Sequence, residues 1–201
     1  AFRDYLACPY RFALRHLYRL KQVETDPPEL TPPAFGSLIH AVLADFGQSA
    51  HKDSADEDII GAYCVARLEH QLFASTYGAP TAAARVQAEQ AKARLLSFAK
   101  AQAIHRARGF VIDSVEQAAE VAAALEGITL VGRIDRIDRH PDGRVLLLDY
   151  KTHDRADSPE ARHRKRGEWI DLQLPLYRHL ARSLGYGGPF ELGYVSLPRE
   201  E

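Results

Sequence analysis

The residues best suited to chemistry lie in two short segments, Gly132-Arg133-Ile134-Asp135-Arg136-Ile137-Asp138 and Leu148-Asp149-Tyr150-Lys151-Thr152. On a β-strand, residues two apart point the same way, so Asp149 and Lys151 share a face. Asp135 belongs to the preceding strand across a tight turn and is expected to reach the same spot. Two carboxylates hold one hard cation such as Mg2+ through oxygen, leaving coordination positions for water and a phosphate. A lysine beside them orients the attacking water or helps to deprotonate it, and offsets the negative charge of the phosphate. The plainer alternative is that Asp149 and Lys151 sit just past the sheet in solvent, or form a simple ion pair. Against it stands the cost of an unpaired Asp and Lys at the end of an apolar strand.

These side chains need a sheet to carry them. Phe110 to Val115, Ile128 to Ile137 and Val145 to Tyr150 are rich in β-branched and large apolar residues and are predicted strands, punctuated by Gly127 and by the turn His140-Pro141-Asp142-Gly143. The run Val145-Leu146-Leu147-Leu148 does not alternate, which predicts a strand buried on both faces in a sheet flanked by helices. Phe190 to Leu197 is a last strand.

Upstream, the pattern is helical. Tyr5, Leu6, Phe12, Ala13 and Leu17 recur at helical spacing, with Pro9 tolerated where a new helical segment begins. Lys21 to Glu29 is a polar loop. Thr31 and Pro32 form an N-cap and first-turn pair, opening a helix through Phe35, Ile39, Val42, Leu43 and Phe46. A charged connector around His51 to Glu57 leads to a helix carrying Ile59, Ile60, Tyr63 and Leu68. From Pro80 to about His105, a stretch rich in Ala, Gln, Lys and Arg predicts a long, mostly exposed helix ended by Gly109. Trp169, Leu172, Leu176, Leu180 and Leu184 mark a further amphipathic helix closed by Gly185. The expected fold is one α/β domain, a mixed β-sheet flanked by helices with a helical N-terminal half.

The 201 residues suffice for one domain with a real core, and no linker, repeat or low-complexity segment divides them. A formal net charge of −1 offers no global argument for a nucleic-acid partner, so that argument rests on local placement of charge. Two cysteines, Cys8 and Cys64, do not make a disulfide framework and suit a reducing cytosol, the expected location. No apolar run approaches the roughly 18 residues needed to cross a bilayer, and the first residues lack a signal-peptide layout. The chain has no methionine, which suggests an excised piece of a longer protein.

Four blocks, in order, resemble the RecB-type branch of the PD-(D/E)xK nuclease superfamily, including the nuclease domain of AddB-like repair proteins. They are Tyr5-Leu6-x-Cys8-Pro9-Tyr10-Arg11-Phe12, Gly36-Ser37-Leu38-Ile39-His40, the two strand motifs above, and Gln173-Leu174-Pro175-Leu176-Tyr177. Each block is weak alone; their conjunction is specific. The resemblance implies a restriction-endonuclease-like fold. It also implies that His40 contributes to a metal site from a helix, that Asp135 and Asp149 are the first and second metal-binding acids, and that Lys151 is the catalytic lysine. The Tyr150 carbonyl would lie near the metal. Gln173 and Tyr177, one helical turn apart, correspond to an element at the active-site rim that helps to hold substrate. An upstream acid is often found on the strand before the first aspartate; Glu116 is chosen, with Glu120 as the second choice. Read without the family, His40 is equally a residue flanking an apolar helix stripe, and Gln173 and Tyr177 are a surface amide and a packed ring.

The basic segment Arg162-His163-Arg164-Lys165-Arg166, following Arg155, is a candidate phosphate-backbone contact, as are Arg133 and Arg136, although Arg136 also suits a structural ion pair. One departure from the family matters. Some relatives join the cysteine of the first block to three C-terminal cysteines in an iron–sulfur cluster, which needs four thiolates. Cys8 has no such companions here, so no cluster is possible from the cysteines of this chain, and Cys8 is expected to be a buried small hydrophobe. The expected activity is Mg2+- or Mn2+-dependent hydrolysis of DNA phosphodiesters, as an exonuclease in repair or recombination, with a helicase subunit or helicase-like segment as partner. The alternatives are a degenerate nuclease fold that serves as a DNA-binding or assembly module, and a metal-dependent hydrolase of small phosphate esters.

Overall fold

The computed structural model describes residues 2–20, 29–125, 128–152, 163–165 and 168–197. Two short helices, α1 (Phe2–Ala7) and α2 (Pro9–Phe12), run into a π-helical turn over Ala13–Leu17. Then come α3 (Pro32–Gln48), α4 (Glu57–Ser75) and α5 (Ala82–Ala107). Each of these three begins on a side-chain cap: Thr31 accepts from Ala34 N, Asp56 from Asp58 N and Ile59 N, and Thr81 from Ala84 N. Strands β1 (Val111–Leu125), β2 (Ile128–Arg139) and β3 (Val145–Lys151) follow. After the small pair β4 (Arg164–Lys165) and β5 (Glu168–Trp169) come α6 (Gln173–Ser183) and β6 (Phe190–Ser196).

The main sheet has the order β1-β2-β3-β6. β1, β2 and β3 form an antiparallel meander, and β6 joins β3 in parallel after a crossover that contains α6. Helices cover both faces. Leu38, Ile39, Val42, Leu43 and Phe46 of α3 pack with Ile60 and Leu68 of α4 and Leu95 and Phe98 of α5 on one side. On the other, Leu174, Tyr177 and Leu180 of α6 pack against Ile134, Ile137 and Leu147. This is the restriction-endonuclease-like α/β arrangement expected from the sequence.

Several boundaries differ from expectation. The first strand does not stop near Val115 but continues to Leu125, because β2 supplies a partner for its alanine-rich extension; local strand propensity is weak there and pairing overrides it. The helix α5 is not mostly exposed. Its alanines let α4 approach closely, and it buries Ala84, Ala91, Arg94, Leu95, Phe98, Ala99, Gln102 and Ala103 along one stripe. The last helix starts at Gln173 rather than near Trp169: Trp169 pairs with Arg164 in β5, and the Asp171 carboxylate accepts the Gln173 N–H at 2.9 Å. In β3, Leu147 and Leu148 are buried but Leu146 is half-buried, so burial on both faces is incomplete at that position. Cys64 is buried, whereas Cys8 lies half-exposed ahead of α2, not inside the core, because α2 has no buried residue to pack it against.

The antiparallel pair β1–β2 changes face halfway along. On β1, Ile112 and Val115 belong to the core under α3 to α5, whereas Ala119 and Val121 pack on the α6 side. On β2, Leu130 and Ile134 face α6, and so does Ile137 three residues further on, although a regular strand would place residues two or four apart on one face. The cross-strand register runs unbroken from Val115–Arg136 to Gln117–Ile134, so both strands switch together around Glu116 and Asp135. Glu116 absorbs the change with a left-handed backbone, φ 52°.

Helix α3 approaches this place closely at Gly47, where a Cβ would lie 2.4 Å from Val115 Cγ1. Gly47→Ala gains about 1 kcal/mol at most in helix propensity, while overpacking against a stiff β-branched side chain costs about 1–3 kcal/mol. The second effect wins. A thermal melt of Gly47→Ala is expected to show a lower Tm than the parent; an unchanged or higher Tm would mean that α3 is not seated on β1 through this glycine.

Candidate metal and active site

The β2–β3 ladder ends at the Arg136–Leu148 pair, while β3 continues beside β6 as far as Lys151. The Tyr150 N–H, left without a β2 carbonyl, donates instead to Asp135 Oδ2 at 3.0 Å. The Asp135 carboxylate therefore sits in the gap where the two strands part. From α3, His40 turns its Nδ1 to within 3.6 Å of Asp135 Oδ2, and its ring meets the Tyr150 ring edge-on at 5.7 Å. From β1 comes Glu116. One ligand atom each from His40, Glu116 and Asp135 lie within 4.8 Å of one another. A nitrogen and two carboxylate oxygens suit Mg2+ or Mn2+ and leave room for water and phosphate oxygens.

Asp149 lies beside this triad and is tied to α6. Tyr177 donates its hydroxyl to Asp149 Oδ1 at 3.0 Å, the Gln173 amide donates to the same oxygen, and the Lys151 ammonium pairs with Oδ2. Lys151 Nζ also donates to Gln173 Oε1 at 2.9 Å, and Gln173 Nε2 contacts the Tyr177 hydroxyl at 3.1 Å. Gln173 thus spans acid and lysine like a crossbar. Burial and the neighbouring Asp135 carboxylate push Asp149 up to about 6, against the opposing pull of Lys151 and Tyr177.

The chosen residues His40, Glu116, Asp135, Asp149, Lys151, Gln173 and Tyr177 are thus brought together, from three strands and two helices. Glu120 is exposed, away from them. Of the basic candidates, Arg136 is buried in a two-pronged ion pair with Asp138, both contacts at 2.6 Å, and cannot meet a phosphate. His163 is also buried, its ring bonded to the Asp171 carbonyl at 2.8 Å and the Tyr194 hydroxyl at 2.9 Å, which removes it as a backbone contact. Arg155, Arg162 and Arg166 lie outside the described residues, as do the side chains of Arg164 and Lys165.

Two supporting groups escaped the sequence reading. Arg94 of α5, buried, donates to the carbonyls of Thr152 and, at 2.8 Å, Leu197, clamping the ends of β3 and β6 behind Lys151. Its signal was its place between Ala91 and Phe98 on one helical stripe. His105 bonds Asp138 at 2.8 Å. Burial alone would raise the Asp138 carboxyl, but Arg136 and His105 hold it below the usual range.

An α/β sheet opened at one seam gathers acids, a histidine and a lysine in the opening, a donor set that suits a divalent cation. The profile of the PD-(D/E)XK nuclease superfamily matches residues 1–201, and the chain belongs to that superfamily. It is also similar to an ATP-dependent helicase/deoxyribonuclease subunit from Streptococcus equi subsp. zooepidemicus (strain H70), with 26% identity over 147 residues. That alignment covers 73% of this chain and 13% of the relative, and it supports the RecB-like assignment. Among the described residues no helix is long and apolar enough to cross a membrane.

A divalent cation held at Asp149 would compete with its proton. Mn2+ affinity measured by calorimetry is expected to weaken by up to about tenfold for each pH unit below about 6. The folded cation-free protein binds this proton more tightly than the unfolded chain does, whose carboxyl titrates near 3.8. Its stabilisation is therefore complete below that value and lost as pH rises through about 6, so added Mn2+ should raise Tm more at pH 7.5 than at pH 5. A Mn2+ affinity flat across that range would contradict the placement of Asp149 at the cation site.

Proposed function

We propose that this chain is the nuclease domain, residues 1–201, of a longer cytoplasmic DNA-processing protein, and that it hydrolyses DNA phosphodiesters with Mg2+ or Mn2+. The observation that carries this reading is the convergence of His40, Glu116 and Asp135 within 4.8 Å, beside the Asp149–Lys151–Gln173 cluster. When bound, the cation would polarise a phosphate oxygen and lower the pKa of a bound water. His40, Asp135, Glu116 and Asp149 would hold it, with the Tyr150 carbonyl close by.

The chain's own residues supply the rest. Lys151, partly exposed and aimed by Gln173, offsets the charge that grows on the phosphate oxygens and holds the attacking water for in-line approach. Gln173 and Tyr177 fix Asp149 against α6, so that acid and ammonium keep one geometry while substrate exchanges. The relative's name couples a helicase to a deoxyribonuclease. That supports a repair or recombination role in which a helicase activity, in another subunit or segment, feeds strands to an exonuclease site.

The test is incubation of purified protein with linear and with closed circular DNA in Mn2+. Degradation of the linear form alone is expected. Cleavage of both forms would replace exonuclease by endonuclease, and no cleavage by folded, Mn2+-binding protein would favour a DNA-binding or assembly module. Lys151→Ala is expected to lower the rate by about 10²- to 10³-fold while still binding Mn2+. A variant that keeps parental activity would remove Lys151 from the chemistry.

A further inference from the structure

Three carboxylates meet at the centre, and each is held in a different way. Asp135 is held by the buried Tyr150 N–H, and Asp149 by Gln173, Tyr177 and Lys151. Glu116 is held by Arg133, whose Nε lies 2.7 Å from Glu116 Oε2. The first two holders are parts of the packed fold. Arg133 is not: its side chain is 65% exposed, and among the described residues Glu116 is its only ion-pair partner.

Position makes this pair informative. Gly132 faces Leu180 of α6, so Arg133, next along β2, projects to the opposite face. There it lines a cleft of about 680 Å³ together with Glu116, His40, Ser37 and Gln71. The strained left-handed backbone of Glu116 puts its carboxylate at the back of this cleft, where it meets both the guanidinium and the His40–Asp135 pair.

We propose that Arg133 is a two-position arginine: it neutralises Glu116 while no cation is bound, and once a divalent cation takes that carboxylate it turns to a DNA phosphate on the cleft wall. This rests on the reading of His40, Glu116 and Asp135 as the cation site. The physical grounds are threefold. The pair is open to solvent on its arginine side only, the guanidinium being 65% and the Glu116 side chain 19% exposed, and such a half-open pair exchanges for a divalent ion that takes the same oxygens. A freed guanidinium carries a fork of donors that matches phosphate oxygens two at a time. The cleft offers it no second acid among the described residues lining it apart from Asp45, which Arg67 and Gln71 already engage. Cation binding would thereby switch on DNA binding at the same place, and DNA held in the absence of cation would be released.

The experiment compares Mn2+ affinity by calorimetry, and affinity for a short fluorescent DNA duplex in a Lys151→Ala background that spares the DNA, with and without Arg133→Gln. The expected result has opposite signs. Arg133→Gln binds Mn2+ as tightly as the parent or tighter. In Mn2+ it binds DNA about tenfold more weakly, with the salt-dependence slope reduced by about one, and with chelator present it matches the parent. Arg133→Lys recovers part of the DNA affinity. Glu116→Gln, which frees Arg133 without a cation, is expected to weaken Mn2+ binding and to strengthen cation-free DNA binding, a gain that the Glu116→Gln/Arg133→Gln double variant loses. A loss of Mn2+ affinity in folded Arg133→Gln would show a merely structural pair and overturn the inference. So would unchanged DNA affinity and salt slope. Either result, in a parent that binds Mn2+ and cuts DNA, leaves the nuclease reading intact; a parent that does neither would overturn both.

Discussion

The separation of β2 from β3 is the constraint on which the site depends. Past the Arg136–Leu148 pair the two strands no longer share hydrogen bonds, and the Asp135 carboxylate takes the Tyr150 N–H that the ladder leaves free. An unpaired N–H in a buried seam would be costly, and an uncompensated buried carboxylate more so; each satisfies the other. The bond fixes Asp135 relative to β3, and thereby relative to Asp149 and Lys151. β3 keeps its own shape through the opening because β6 pairs with it as far as Lys151. Arg94 then ties the two strand ends together from α5.

Behind the opening, the protein carries a buried ionic platform. Arg136 grips Asp138, and His105 reaches the same carboxylate from α5. Burying such a pair gains little stability over apolar residues of similar size, because desolvation offsets the Coulomb attraction, whereas removing one partner strands a charge. Its value lies in geometry: through His105 the pair joins β2 to α5 behind Tyr150, whose ring packs between His40 and Phe98. The aromatic residue of the Asp-Tyr-Lys motif is thus the core plug between two site residues that point the other way.

Acids on three strands are gathered without three matching cations. Lys151 and Arg133 answer Asp149 and Glu116, and the charge of the third, Asp135, adds to burial in lifting the Asp149 carboxyl to about 6. Such crowding destabilises the cation-free protein and is tolerated where a divalent ion is to be held. The face switch at Glu116 belongs to the same arrangement. A regular β1 would have aimed this glutamate by simple alternation, and the positive φ instead delivers it to the cleft under α3.

Much of the arrangement was legible in the chain because it is written at short range. The i, i+2 period of a strand places Asp149 and Lys151 on one face, and the i, i+4 period of a helix places Gln173 and Tyr177 on one face. The caps at Thr31 and the turn at Gly143 act over three or four residues. Resemblance across four separated blocks added His40 and the order of the elements. Glu116 was harder to choose, since its backbone breaks the period on which strand reading relies. The burial of α5, the length of β1 and the Arg133–Glu116 contact were not legible at all, and the ion pair open to Arg136 in the sequence came without its partner, Asp138. Each depends on which distant segment lies opposite: the amphipathic pattern of an alanine-rich helix is faint until α4 packs on it, and a basic residue looks the same in sequence whether it faces solvent or a carboxylate. Local periodicity, by itself, determined which side chains travel together, because bonded geometry alone sets it; the meeting of those groups at one seam, and the charges that answer them, were decided by tertiary packing, because only packing sets the distance between segments far apart along the chain.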